Sequence, residues 1–223
     1  MPKLERWGGL VALLSGILGV LYFPFDSAAL FAASDATEFT GFIPWSDAFR
    51  DLAAPLLTFD SPAVVHRFYA RLSFIVILGF AVGLVALHSR QAGKAGRLER
   101  WGFYVTLVGL ALIAASVFVE RWIGGGHGGP SRVGDWAFVV LEVPSLLLLI
   151  PGLPLFGIGT LRAKVAPRLG AWLLTISVPA VVLLTLLLGH LSGGMLVLDL
   201  AWMVLGYHLW SQRATAKAAT AEV

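Results

Sequence analysis

The sequence predicts an all-α fold: a polytopic membrane protein built as a six-transmembrane-helix bundle. Three observations predict it. Of 223 residues, 58% are hydrophobic and 13% charged, with a mean hydropathy of +0.84, far from the composition of a soluble domain. Six apolar stretches each approach the roughly 20 residues that a helix needs to cross a bilayer. The basic residues gather in alternate connections. Lys3, Arg6, Arg90, Lys94, Arg97, Arg100, Arg162, Lys164, Arg168, Arg213 and Lys217 fall in one set of connections, with only Glu5, Glu99 and Glu222 beside them. Basic loops stay cytoplasmic, which puts both termini inside.

The expected spans are about 7–25, 67–88, 101–122, 136–159, 170–190 and 195–211, forming one domain over 1–212, and 213–223 reads as a disordered cytoplasmic tail. Span one opens with LERWG, and the same string recurs at 98–102 before span three. A fainter version, RLGAW at 168–172, opens span five, and spans two and six end alike in LVALHSRQ and LGYHLWSQR. Three repeated two-helix hairpins would produce this pattern. So would convergence, since Arg and Trp suit any cytoplasmic helix start. A cleaved signal peptide competes for the first span, with a charged start, an apolar run and the small residues of LFAAS.

The loop 26–65 is far longer than a turn needs. Within it, SDAFRDLAA at 46–54 has a helix start at Ser46 and a stop at Pro55, with Phe49, Leu52 and Ala53 on one face. It reads as an amphipathic strap on the outer membrane surface. Ser61-Pro62 then opens a new helix, cap followed by proline. Gly79 and Gly83 have the spacing that lets membrane helices approach closely. Pro144, Pro151 and Pro154 are expected to break up span four and free backbone carbonyls. HLSGGM at 190–195 is a tight turn that makes spans five and six neighbours.

Two acids lie inside the spans. Glu142 falls six residues past the interfacial Trp136, roughly 9 Å deep, and Asp199 four residues past Met195, roughly 6 Å deep. An ionisable group there costs about 2.5–3.5 kcal/mol on insertion scales, so it faces the bundle and finds a partner. The candidate pocket is Glu142, Asp199, His190, Ser145, Trp202, Arg67, Arg71 and His66. His190 is the expected partner of Asp199, Arg67 and Arg71 share one face and either reach down to Glu142 or bind lipid headgroups, and Ser145 shares the face of Glu142. The bland alternative is that each acid, in its neutral form, hydrogen-bonds a neighbouring helix as packing.

Other chemistries find little support. There is no cysteine and no asparagine, which removes thiolate sites, disulfides and N-glycosylation. His66, His127 and His190 are weak candidates for a metal, but no HxxxH or HExxH pair places two ligands on one helix face, so no metal or other cofactor is expected. His66 and His88 lie 22 residues apart, about 33 Å on one helix, too far apart to flank buried haems. GGGHGGP at 124–130 lacks the phosphate-loop lysine, and the basic clusters set orientation rather than bind nucleic acid.

The stretch GIGTLRAKVAPRLGAWLL at 157–174 resembles a segment of uncharacterised bacterial multi-pass membrane proteins. There a helix ends, LRA precedes a short basic loop with Pro-Arg, and a Trp-containing helix follows. The resemblance covers 18 of 223 residues and implies no activity and no functional residue. Three function classes therefore stand at this point. The first is binding or transport of a small molecule or proton through an outward-facing polar pocket in a prokaryotic inner membrane. The second is an accessory subunit, in a homo-oligomer or larger membrane complex. The third is a membrane-embedded enzyme acting on a lipid or isoprenoid. Membrane lipid is an expected partner in all three.

Overall fold

A computed structural model describes residues 2–33, 44–57, 62–94, 96–123 and 132–221. His127 and the rest of its glycine loop lie outside the described residues. Every regular element among the described residues is helical. They are α1 (Pro2–Ala33), α2 (Pro44–Leu57), α3 (Pro62–Gln91), α4 (Arg97–Phe118), α5 (Arg132–Ala137), α6 (Val143–Ala163), α7 (Arg168–Thr175), α8 (Ser177–Leu188), α9 (Leu191–Gly194) and α10 (Leu196–Ala221). A π-helical turn, Val119–Ile123, extends α4, and a second, Phe138–Glu142, joins α5 to α6.

Five helical runs are long and apolar enough to cross a membrane: Lys3–Phe31, Val64–Gln91, Arg97–Ile123, Arg132–Ala163 and Leu191–Ser211. A sixth exists if α7 and α8, bent by 70° at Ile176, count as one span. The outside of the bundle carries leucines such as Leu147, Leu183 and Leu186, all exposed, as suits a lipid rather than an aqueous surroundings. Trp7, Trp101 and Trp172, the tryptophans of the three opening motifs, are also exposed, the behaviour of interfacial anchors.

The core lies where α1, α3, α4, α6 and α10 meet, around Phe80, Phe156, Trp202 and Leu205. Small residues bring the helices together. A methyl group added at Gly79 would fall on Ser15 Oγ, and one at Gly83 would come 2.6 Å from Ala12 Cβ. The GFAVG spacing is thus the seam between α3 and α1, within the bundle. Contacts at one end tie together Glu5 and Arg90 (3.5 Å), His88 and Glu99 (2.7 Å), and His208 and the Val165 carbonyl (3.3 Å).

Three expectations are corrected. The first span does not end at residue 25. α1 runs through Pro24 to Ala33, because a membrane helix re-satisfies the backbone group that an internal proline frees. Asp26 is therefore a helical residue and not part of a loop. The strap helix is longer than 46–54 and also runs through its proline, Pro55. In span four, Pro151 and Pro154 sit inside a continuous α6, and Pro144 occupies its first turn, where proline is tolerated. The break lies in span five instead. There Pro179 falls in the first turn of α8, so the missing N–H is accommodated by ending α7 and starting again.

Candidate functional site

The richest polar cluster forms around the second half of α1. Gly19, Tyr22 and Asp26 succeed one another at steps of three and four, so they stack along one face. Asp26 is 4% exposed. Its Oδ1 lies 3.1 Å from His66 Nδ1 on α3, and its Oδ2 lies 3.7 Å from His190 Nδ1, the residue that precedes α9. The other ring nitrogen of His66, Nε2, is 3.3 Å from the Arg121 guanidinium in the π turn after α4. An arginine only donates, so Nε2 accepts in this contact. Beside them, Ser27 Oγ is 3.2 Å from His190 Nδ1 and 3.0 Å from Ser192 Oγ.

Glu142 occupies the second π turn. Ser116 Oγ lies 3.4 Å from Glu142 Oε2 and 3.1 Å from Glu120 Oε1, so one hydroxyl stands between two carboxyl groups. Arg121 is within electrostatic reach of Glu142. Glu120, Arg121 and Glu142 thus all come from π turns. Single π turns are rare and concentrate where a side chain must be re-aimed, often at functional sites. Arg71 supports the first of them: its Nε donates to the Arg121 carbonyl at 3.1 Å, and its guanidinium lies 4.7 Å from the Trp122 ring centre. It does not serve as the expected partner of Glu142, whose neighbours come from its own hairpin. Ser145 is buried and donates to the Glu142 carbonyl at 2.7 Å, a local helical bond.

Asp199 is 1% exposed, and its Oδ1 has no hydrogen-bond partner. It packs over Gly19, where an added methyl group would collide with the carboxyl. The expected Asp199–His190 pairing gives way to this contact, because His190 turns toward Ser27, Ser192 and Asp26. Tyr22, buried between the two, is within electrostatic reach of Asp26, Asp199 and Arg121. Trp202 is fully buried and stacks on Phe80 with ring centres 5.9 Å apart, as a core residue beneath Asp199. Arg67 is half-buried, its Nε without a hydrogen-bond partner. Of the expected set, His66 and His190 meet at Asp26, while Glu142 and Asp199 stand to either side of them.

Among the described residues no group of three His, Asp or Glu side chains has the arrangement to hold a metal ion. A shallow apolar groove runs beside the π turns, lined by Val119, Val133, Trp136, Ala137, Val140 and Leu141. The four acids Asp26, Glu120, Glu142 and Asp199 do not line it.

No protein-family model, curated protein or solved structure matches this chain.

Proposed function

We propose that this chain is a multi-pass membrane protein that binds or transports a small molecule or proton at the cluster of Asp26, His66, His190, Arg121, Glu142 and Asp199. The observation that carries the reading is Asp26: a carboxyl group 4% exposed with an imidazole on each side. Buried ionisable groups in a span are costly, and they are kept where ions, protons or ligands must be held. The cluster has three acids against one arginine, an excess that favours a proton or a small organic cation. His190 is the part-exposed group beside Asp26, the natural point of entry to that carboxyl.

The same reading places the N- and C-termini on the cytoplasmic side of a prokaryotic inner membrane, with the cluster in the outer half. The distribution of basic residues supports it. It also takes α7 and α8 together as a sixth span, and the bundle as three repeated hairpins. In support, the glycine of each opening motif packs on the second helix of its own hairpin. Gly8 faces Ala86, Gly102 faces the Phe156 backbone and Gly170 faces Leu205.

Native mass spectrometry of the detergent-purified protein tests the reading, with wild type beside D26N and E142Q. A small-molecule adduct on the wild type that D26N loses supports the ligand form. A bare mass together with a pH titration that D26N leaves unchanged contradicts both forms, and leaves packing within a larger assembly as the role of these groups.

A further inference from the structure

A further buried carboxyl group lies at the opposite end of the bundle. Glu99, in the repeated LERWG motif, is 0% exposed. Its Oε1 is 2.7 Å from His88 Nδ1, and its Oε2 is buried without a hydrogen-bond partner. His88 is the part-exposed member, with 22% of its side chain accessible. Its ring lies flat on Phe103, centres 3.8 Å apart, which fixes the plane in which Nδ1 meets the carboxyl group. Among the described residues no lysine or arginine forms a salt bridge with Glu99, whose ion-pair partner is His88. α3 contributes Gln91, fully buried and bonded to Thr160 Oγ1 at 3.0 Å, and α6 contributes Gly159 and Thr160. Arg90, also on α3, is engaged with Glu5 of α1.

The arrangement parallels the Asp26 cluster. At each end a buried acid stands behind a part-exposed histidine: Asp26 behind His190, Glu99 behind His88. The helix α3 joins the two ends. It carries His66 against Asp26 and His88 against Glu99, 22 residues and about 33 Å apart, the thickness of a bilayer core.

We propose that His88 and Glu99 form a second proton-binding site, which exchanges with the face of the membrane opposite to the Asp26 cluster. A carboxylate only accepts hydrogen bonds, so His88 donates from Nδ1 and takes an incoming proton on Nε2. Uptake forms one N–H bond and converts an imidazole–carboxylate pair into an imidazolium–carboxylate pair. Release returns that proton to water on the same face. The inference deepens the proton form of the proposed function and rests on it for the outer site alone.

The test is nitrogen NMR of the five imidazoles in uniformly oriented proteoliposomes, with pH changed on one side at a time. The expected result is that His88 responds only to the side bearing the termini and His190 only to the other. E99Q should alter the His88 titration and leave His190 as in the wild type, while D26N does the reverse. The proposal is overturned if His88 does not titrate, responds to the same side as His190, or titrates identically in E99Q. If His88 behaves as expected while His190 is silent on both sides, the inner site stands and the outer reading fails.

Discussion

His66 bridges Asp26 and Arg121: one ring nitrogen lies 3.1 Å from the carboxyl group and the other 3.3 Å from the guanidinium. Three separate helical runs, α1, α3 and α4 with its π turn, are joined through a single imidazole. Groups that share a partner in this way do not contribute independently. In a double-mutant cycle, D26N and H66N should show a coupling of about 0.5–3 kcal/mol in detergent unfolding. Additive effects would show that the pair acts as two unrelated polar groups.

Asp199 and Gly19 are matched in shape. G19A places a methyl group on the Asp199 carboxyl group, and overpacking of this kind costs about 1–3 kcal/mol. Shortening the acid makes room, so D199A combined with G19A should be more stable than the sum of the two single effects implies. Thermal unfolding of the four proteins measures this directly.

The hairpin seam gives a sharper contrast. At Gly102 an added methyl group would meet the backbone of Phe156, including its Cα at 2.7 Å, and a backbone cannot rotate away as a side chain can. At Gly93 nothing lies within 4 Å. G102A should destabilise by about 1–3 kcal/mol and G93A by no more than about 0.5 kcal/mol. Equal melting temperatures for the two variants would contradict the close packing of α4 on α6.

These contacts also mark where the sequence was readable. Hydropathy located the helical runs long and apolar enough to cross a membrane, because a lipid-exposed helix must be apolar over its whole length. The packing role of Gly79 and Gly83 was legible for a similar reason, since small residues four apart let helices approach closely. Asp26 was not, because FPFD looks like a helix end to rules learned in water, where an interior proline is disfavoured. Inside a bundle that rule weakens, and the acid that lies between the two histidines of the cluster was hidden by it. The π turns left no signal in composition, so the meeting of Glu120 with Glu142 across Ser116 was also invisible. Pro179 shows the converse. It is one more proline in an apolar run, and nothing in that run marks it as the one that breaks the helix.

That break is open to measurement. Leu169 and Leu187 are exposed on either side of it, and the chain has no cysteine, so spin labels can be attached at these two positions alone. A straight helix would separate them by about 27 Å, and the 70° bend shortens that distance. P179A should lengthen it toward the straight value. An unchanged distance would mean that packing, not the proline, sets the bend.

The most direct test of the outer site is infrared difference spectroscopy of the reconstituted protein across a pH step. Wild type should give a carboxyl band that D26N removes and that E142Q and D199N retain in part, as expected if protons are exchanged at a shared cluster. A wild-type spectrum without carboxyl bands, or one superimposable on that of D26N, would contradict the proton reading and leave Asp26 as a packing residue.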